Sequence, residues 1–357
     1  MLNILAAVLL FGFIVLVHEF GHFLFAKLNG IGVNEFSIGM GPRLCSFVRG
    51  ETRYSIKVLP FGGSCMMEGE DFGSDSANSK AFNEKSVWAR ISVVAAGPVF
   101  NMILAFLFAL IIVSQVGHDS PVLYGVMDGS PAQEAGLQAG DKITKINKRK
   151  ITSYRDVMLY TFSHPGEEVV LSYSRPPGGS WENGGAAEKR TAVLIPVYNE
   201  EYQSYMLGVQ FGSYEKVKSL PDLIYYSAYE VKYCVVSTLD SMRMMVRKQI
   251  KVDDAVTGPI GIVNMVGETV QEGREMGAKA VILILSNWVL LLSSSLGIMN
   301  LLPIPALDGG RLLFMLIEVV RGKPVDPEKE GMVHMAGMAL LMALMVVVLF
   351  NDIRKLM

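Results

Sequence analysis

The chain has 357 residues and a formal net charge of −2, and 51% of its residues are hydrophobic against 18% charged. A chain this close to neutral lacks the basic surplus that attracts nucleic acid, so we expect no nucleic-acid partner. The mean hydropathy of +0.36 predicts a multispan membrane protein with a soluble part. The cysteines are too few and too scattered for a disulfide framework and form no C-x-x-C pair, so we expect free thiols at Cys45, Cys65 and Cys234.

The first long apolar run, Leu2 to Phe25, contains the sequence His18-Glu19-Phe20-Gly21-His22. A run of this length can cross the hydrocarbon core of a bilayer, roughly 30 Å thick, as a helix. Ionisable side chains at that depth are unfavourable and usually serve a function. Residues four apart share one face of a helix, which lets His18 and His22 bind one metal ion while Glu19 lies beside a metal-bound water. Zinc would lower the pKa of that water to about 7, and Glu19 would accept its proton.

Two simpler explanations of this motif exist. The first is coincidence, because H-E-x-x-H also occurs by chance in helices. The second is a cleaved signal peptide, which would be equally apolar. It fits poorly, because no Lys or Arg precedes the run, no A-x-A-like site follows it, and secretion has no use for His-Glu-His.

Between the first and second spans, residues 33–64 alternate in short β-like stretches that are broken by glycine and proline, including Pro60-Phe61-Gly62-Gly63. This pattern predicts a β-hairpin close to the metal-binding helix. A protease that acts on backbone amides needs an extended substrate, and an edge strand of such a hairpin could bind one. A plain cytoplasmic connector is the alternative.

Three further apolar runs predict membrane spans at about Ile91–Val116, Ala278–Leu302 and His334–Phe350. Lys and Arg are concentrated between spans one and two and between spans three and four, so the positive-inside rule places both loops in the cytoplasm. The N-terminus, the long central segment and the C-terminus then face the other side, although Arg354 and Lys355 argue mildly against this.

The central segment from about Pro121 to Gly212 has the mixed pattern of a compact soluble domain. It predicts a helix at Ser153–Phe162 and a flexible hairpin tip at residues 175–185. The expected strands are Leu123–Val126, Lys142–Ile146, Glu168–Ser174, Thr191–Val197 and Met206–Phe211. The segment Tyr214–Ile250 that follows is helical and rich in Tyr and Met, which suits either the bilayer surface or the core of the soluble domain.

A catalytic zinc site needs a third protein ligand and one position for water. The extended pattern H-E-x-x-H-x-x-G-x-x-H fails, because Phe25 and Leu28 occupy its later Gly and His positions. Other candidates are less suitable, because they follow the motif too closely, face the opposite side of the membrane or begin the last span: Glu35, His118, His164 and His334. Asp308 is the best remaining candidate.

Asp308 belongs to the segment Asn300–Gly310, at the cytoplasmic end of the third span. Pro303 and Pro305 break the helix and free backbone carbonyls, which a membrane tolerates only where protein or a water cavity satisfies them. Such a break can aim the Asp308 carboxylate at a metal. Asn300 could donate a hydrogen bond to the oxyanion that forms when water attacks a peptide carbonyl. The simpler alternative is that the prolines end one helix and Asp308 caps the next.

With H-E-x-x-H in the first span and N-x-x-P-x-P-x-L-D-G at residues 300–309, the chain resembles the bacterial site-2 proteases, which are zinc intramembrane metalloproteases. The resemblance is strongest to the RseP-like branch and extends over nearly the whole length. Pro60-Phe61-Gly62-Gly63 resembles the family's membrane re-entrant β-loop, and Ala96-Gly97-Pro98 with Asn101 resembles its second-span motif. Gly258-Pro259-Ile260-Gly261 resembles the segment after the PDZ domain.

Three short motifs are typical of a bacterial PDZ domain: Ser130-Pro131-Ala132, Ala135-Gly136-Leu137 and Gly140-Asp141. Only one such domain fits between Pro121 and Gly212, whereas the protein that names the branch carries two. The way in which the PDZ region restricts access by substrate size is therefore expected to differ here.

The resemblance implies a polytopic α-helical membrane protein with about four transmembrane helices, a re-entrant β-hairpin loop on the cytoplasmic side and an inserted extracytoplasmic PDZ domain of mixed α/β, mostly β, structure. The expected domains are an N-terminal membrane core at 1–120, the PDZ domain at 121–213, an amphipathic surface segment at 214–275 and a C-terminal membrane core at 276–357. It also implies one zinc ion at His18, His22 and Asp308, with Glu19 as general base and Asn300 near the scissile carbonyl. Substrate contacts are expected at Asn300, Pro303, Pro305, Gly62, Gly63 and Asn101.

Members of this family typically cleave single-span membrane proteins that a site-1 protease has already trimmed, such as anti-sigma factors or remnant signal peptides. The resemblance therefore implies regulated intramembrane proteolysis in the lipid bilayer of the bacterial cytoplasmic membrane. The active site would lie near the cytoplasmic leaflet, and the PDZ domain would gate access. The alternatives are an inactive PDZ-bearing membrane adaptor with a structural metal site, and a metal transporter, which would need more polar residues along its spans.

Overall fold

Four helices of the structure, a computed structural model, are long and apolar enough to cross a membrane: Leu5–Leu28, Val87–Val116, Ala278–Leu301 and Pro327–Lys355. The four expected spans are therefore confirmed by length and composition. The structure describes residues 2–70, 78–179, 181, 186–212, 214–250 and 257–356.

The helices, in chain order, are α1 Leu2–Leu28, α2 Val87–Val116, α3 Pro131–Glu134, α4 Tyr154–Ser163, α5 Leu220–Val246, α6 Pro259–Glu275, α7 Ala278–Leu301, α8 Asp308–Arg321 and α9 Pro327–Leu356. Two spans begin earlier than their apolar runs predict. α2 begins after Ser86, whose hydroxyl accepts a hydrogen bond from the Ala89 N–H (3.3 Å). α9 begins after Asp326, whose carboxylate accepts from the Glu328 N–H (3.1 Å). Capped polar first turns thus extend both helices beyond their hydrophobic part.

The strands are β1 Val33–Arg49, β2 Thr52–Met67, β3 Leu123–Val126, β4 Lys142–Ile146, β5 Arg149–Lys150, β6 Val169–Arg175, β7 Glu188–Leu194, β8 Val197–Asn199, β9 Ser204–Met206 and β10 Val209–Phe211. The elements form two compact units. The first, here called the helical unit, comprises Met1–Ile111, Glu230–Val235 and Lys248–Met357. The second, here called the β-rich unit, comprises Ile112–Tyr229 and Val236–Arg247.

In the helical unit, α1 packs against α2, α6 and α7. The first half of α1 contributes to two apolar clusters. In one, Leu10 and Ile14 pack with Leu104 of α2 and Val289 of α7. In the other, Ala7 packs with Val266 and Val270 of α6. Farther along, a Cβ on Gly21 would lie only 2.6 Å from the Ala96 carbonyl oxygen. The backbones of α1 and α2 therefore touch at the level of the histidine motif, which requires glycine at position 21.

The predicted β-hairpin is formed by β1 and β2, which pair antiparallel beside α1. Residues 35–38 of β1 have partners on both sides, residues 53–56 and residues 63–66 of β2. Among the described residues, no other strand pairs with the far side of 63–67. The last part of β2 is therefore an edge strand. The side chains of Pro60 and Phe61, which the sequence singles out, lie outside the described ones.

The segment 214–275 contains two helices, α5 and α6, with residues 251–256 between them lying outside the described part of the chain. The motif Gly258-Pro259-Ile260-Gly261 forms the start of α6. The Asp352 carboxylate of α9 accepts hydrogen bonds from the N–H groups of Gly258 and Gly261, both at 2.9 Å. A Cβ on Gly258 would lie 2.5 Å from that carboxylate, so the glycine gives Asp352 access to the helix start.

The β-rich unit contains a four-stranded antiparallel sheet of order β5-β4-β6-β7 and two strand pairs, β3–β10 and β8–β9. Ser153 and Asp156 form a capping box at the start of α4. Two expected strands are wrong in their extent. The strand expected at Thr191–Val197 ends at Leu194, because Pro196 has no N–H to donate, and the strand expected at Met206–Phe211 is interrupted at Gly208, which has φ +80°. In the expected hairpin tip at 175–185, Pro177–Gly179 form a short 3-10 helix, and residues 180 and 182–185 lie outside the described residues.

Candidate metal centre

Three side chains from distant parts of the sequence meet inside the helical unit. The Nε2 atoms of His18 and His22 lie 3.2 Å apart, since the two residues are one turn apart on α1. The Oδ2 atom of Asp308, the first residue of α8, lies 3.2 Å from His18 Nε2 and 3.5 Å from His22 Nε2. Both histidines are buried. The structure thus brings together the three residues that the sequence selects as ligands.

The opposite ring nitrogens fix the orientation of both imidazoles. His22 Nδ1 lies 2.9 Å from the Val93 carbonyl oxygen of α2, to which it donates a hydrogen bond. This leaves His22 Nε2 as the nitrogen with a free lone pair, which is the arrangement that metal-binding histidines require. α2 therefore holds the ligand of α1 in the coordinating tautomer.

His18 Nδ1 faces the Asn101 side chain, and the distance from Asn101 Nδ2 to His18 Nδ1 is 3.2 Å. Asn101 is fully buried, and its Oδ1 has no hydrogen-bond partner among the described residues. Exchanging the oxygen and nitrogen of an amide leaves its shape unchanged, and here it would let Oδ1 accept the proton of His18 Nδ1. The Asn101 side chain is therefore buried beside His18, where it can orient the imidazole, and its expected role as a substrate contact stays a prediction.

Gly97 makes room for both histidine rings. A Cβ at this position would lie 2.3 Å from His22 Nε2 and 2.8 Å from His18 Cε1. The glycine of the Ala96-Gly97-Pro98 motif therefore lets the α2 backbone pass directly beneath the ligand atoms. Any larger residue would occupy the space of the imidazoles.

The donor set fits a zinc ion. The His18, His22 and Asp308 ligand atoms all lie within 4.8 Å of one another, and no other such group occurs in the part of the chain that the structure describes. Asp308 Oδ2 is buried and accepts no hydrogen bond from the described residues, which is unfavourable for a carboxylate unless a cation neutralises it. Two imidazoles and one carboxylate, with a fourth position left for water, form one of the usual ligand sets of catalytic zinc.

Glu19 lies beside these ligands and against the hairpin. Its carboxylate lies near the backbone N–H of Cys65 in β2. A Cβ on Gly63 would lie 3.0 Å from Glu19 Cγ and 3.0 Å from the Ser37 carbonyl oxygen, so a larger residue here would have to displace one of these neighbours. Gly62 has φ +80° and lies next to the side chain of Met40. The edge strand therefore runs directly past the residue expected to act as the base.

Asn300 lies at the end of α7, with its Nδ2 3.5 Å from His18 Nε2. Its amide is therefore next to the ligand atoms, as stabilisation of an oxyanion there requires. Of the two expected proline contacts, Pro303 is exposed, whereas Pro305 packs against Gly337 of α9.

Two glycines shape the turn that carries Asp308. A Cβ on Gly309 would lie 2.1 Å from the Leu302 carbonyl oxygen, and one on Gly310 would lie 2.5 Å from the Ile304 carbonyl oxygen. α8 can therefore begin directly against the broken end of α7. This close approach explains why glycines follow Asp308 in the sequence L-D-G-G at residues 307–310. From the sequence alone, only the aspartate of this segment has an expected role.

Four helices long and apolar enough to span a membrane, with His18, His22 and Asp308 grouped beside Glu19, are the features of a membrane metalloprotease. The family model for Peptidase family M50 matches residues 6–344, and the chain belongs to that family of site-2 type zinc metalloproteases. The zinc metalloprotease RasP of Bacillus licheniformis is 32% identical over 436 aligned residues, which cover 99% of each chain. The regulator of sigma-W protease RasP of Bacillus subtilis is 31% identical over the same length and coverage. A protein of Clostridium acetobutylicum is 37% identical over 351 residues, 98% of this chain and 97% of its own.

Proposed function

We propose that this zinc metalloprotease is an intramembrane endopeptidase that cleaves the transmembrane segments of single-span membrane proteins. The observation that carries this proposal is the location of His18, Glu19 and His22 within the first membrane-spanning helix, with Asp308 beside them. A peptide bond that reaches this site is hydrolysed at the depth of the bilayer. A water-filled cleft at the ligands is therefore a requirement of the reaction.

We assign the metal ligands to His18, His22 and Asp308. A zinc ion held by these three residues would supply Lewis-acid chemistry: it would polarise the scissile carbonyl and lower the pKa of a water molecule to about 7. Glu19 accepts a proton from the attacking water and passes it to the departing amine, so that hydrolysis consumes one water and yields a carboxylate and an amine. The backbone N–H of Cys65 lies near the Glu19 carboxylate and favours its charged form. Asn300 Nδ2 donates to the oxyanion.

We propose that the substrate binds as an added strand along the edge of β2, at Gly62 and Gly63. Backbone amides within a helix are hydrogen-bonded internally, so a transmembrane helix must unwind before its peptide bonds are accessible. An edge strand offers the extended segment a replacement set of hydrogen bonds. The contact between Gly63 and Glu19 supports this role, because it would bring a strand paired there within reach of the base.

We further propose that residues 121–213 form a PDZ domain outside the cytoplasm that gates access to the site. The hydroxyl of Ser130, in the Ser-Pro-Ala motif, accepts a hydrogen bond from the Gln133 N–H at the start of α3, which supports this assignment. The name of the Bacillus subtilis relative, a regulator of sigma-W protease, supports anti-sigma factors as a substrate class. We expect substrates first trimmed by a site-1 protease, in a bacterial cytoplasmic membrane, with cleavage near the cytoplasmic leaflet.

Replacing Glu19 with Gln tests the proposal. The E19Q variant should bind zinc normally but lose cleavage of a single-span membrane protein whose extracytoplasmic part has been removed. The matched control is E272Q, on the exposed surface of α6, which should keep both properties. Full cleavage by E19Q would contradict the mechanism. If wild-type protein bound zinc but cleaved no member of a substrate panel, the inactive adaptor would be the correct alternative.

A further inference from the structure

Ala306, two residues before Asp308, has a left-handed backbone with φ +75°. This conformation is unfavourable for any residue with a Cβ and persists only where neighbouring groups enforce it. The residues around it form a tight turn, in which the Leu307 N–H donates to the Ile304 carbonyl oxygen (3.2 Å). The direction of the Asp308 carboxylate therefore depends on a strained position that requires outside support.

His334 of α9 provides a hydrogen bond at this position. Its Nδ1 accepts from the Ala306 N–H at 3.0 Å, and the residue is only 6% exposed. To accept this bond, Nδ1 must carry no proton, so the ring proton is on Nε2, which faces Glu330 Oε1 at 4.0 Å. The ring also contacts Phe314 of α8, at 5.6 Å between centroids. The imidazole of α9 thus contacts both the turn and the helix α8 that follows it.

Gly337 lies one turn farther along the same face of α9. A Cβ at this position would lie 2.4 Å from Pro305 Cβ and 2.7 Å from the Pro305 carbonyl oxygen. Two consecutive residues of the turn therefore contact α9: Pro305 packs against the backbone at Gly337, and the Ala306 N–H donates to His334.

We infer that His334 is a positioning residue of the metal centre: it stabilises the left-handed turn at Ala306 and thereby aims Asp308 at the two histidines. The inference rests on the proposed assignment of Asp308 as third ligand. It gives the last span a role in catalysis that its Met-rich, lipid-exposed sequence does not indicate.

A matched pair of amide substitutions separates this role from general packing. In H334N the side-chain oxygen takes the approximate place of Nδ1, whereas in H334Q it takes the approximate place of Nε2. The zinc dissociation constant of the full-length protein, measured by competition with a chromophoric chelator, should rise about tenfold in H334Q and stay within about threefold of wild type in H334N. Adding A306G to H334Q should restore tight binding, because glycine adopts φ +75° without strain.

Three results would overturn the inference: wild-type zinc affinity in H334Q, equal weakening in H334N and H334Q, or failure of A306G to rescue H334Q. G337A reaches the same turn without altering His334. It should also weaken zinc binding, and unchanged affinity would contradict the inference even if no His334 variant were recovered folded. D308A is measured alongside. Unchanged zinc affinity in D308A would refute the ligand assignment, whereas a loss in D308A without a loss in H334Q would refute only the role of His334.

Discussion

The two halves of the metal centre are built in different ways. His18 and His22 lie four residues apart on one regular helix, so their relative position follows from helix geometry. Asp308 is the first residue of α8, directly after the turn from α7, and its position depends on the contacts that neighbouring residues make with α7 and α9. Local periodicity suffices for the first half, whereas packing between distant segments defines the second. Substitutions around the aspartate turn should therefore weaken metal binding without touching a ligand.

The largest effect should come from a residue behind the histidines. In G97A, the new Cβ would need to occupy space 2.3 Å from His22 Nε2, so the rings must move out of register. We expect zinc affinity and proteolysis to fall by about 100-fold, at the upper end of the range for residues that support metal ligands. Metal analysis of purified protein and a cleavage assay check this. The control is G212A, where a Cβ would meet nothing within 4 Å.

If G97A bound zinc as tightly as wild type, the two histidine rings could move without loss of binding. The position of the histidines would then not be fixed by their helix, and the stated difference from the aspartate half would be wrong.

A smaller effect is expected at Asn101, and it reveals the direction of one hydrogen bond. If Oδ1 accepts the His18 Nδ1 proton, aspartate should replace asparagine with little change, because its oxygen accepts the same proton. Leucine, of similar size, accepts nothing, so N101L should weaken zinc binding by about tenfold. The zinc dissociation constants of N101D and N101L give the answer. Weaker binding in N101D than in N101L would indicate that the amide nitrogen donates to His18 instead.

The smallest effect concerns the hairpin that lies beside Glu19. The hydrogen bond from Arg43 lowers the pKa of Glu35 from its usual 4.5 to about 2, and Ser55 and Lys57 act in the same direction. A carboxyl whose pKa is lower in the folded state stabilises that state above pH 4.5, and the stabilisation is lost as pH falls toward about 2. The protection of the β1 and β2 amides against hydrogen exchange, taken relative to the intrinsic exchange rate at each pH, should therefore decrease as pH falls over this interval.

The matched variant is E35Q, which cannot ionise. The protection of its β1 and β2 amides, taken relative to the intrinsic exchange rate at each pH, should change less across the same pH interval than that of wild type. Identical pH profiles for the two proteins would show that the Glu35 carboxylate contributes nothing to the hairpin.

The difference between the two halves also explains what the sequence reveals. The histidine motif and the four spans follow from periodicity and apolar length, both of which are local properties. Asp308 follows from the proline break and from the need for a third ligand. The supports of the site do not: His334 contacts a residue 28 positions earlier, and Gly97 faces rings 75 and 79 positions away. A histidine within a Met-rich span and a glycine within an apolar helix carry no local signal of these contacts.

The same limit applies to the hairpin. The sequence around Gly62 and Gly63 predicts a break between short β-like stretches of a hairpin, whereas both glycines lie within β2, and the approach of Gly63 to Glu19 depends on how β2 packs on α1. Glycine is favoured at position 63 because the Glu19 side chain occupies the neighbouring space. No pattern within β2 itself indicates this contact. Asn101 is a similar case, because its motif indicates importance and only its burial indicates that it supports His18.

The assignment of Asp308 as the third zinc ligand is tested most directly by X-ray absorption spectroscopy of a D308C variant loaded with zinc. Zinc–sulfur bonds are about 2.3 Å long and zinc–nitrogen bonds about 2.0–2.1 Å, so a single thiolate ligand is resolved as a new shell. We predict one sulfur neighbour in D308C and none in wild type. A zinc spectrum in D308C that contains only nitrogen and oxygen neighbours, identical to that of wild type, would show that another residue completes the site.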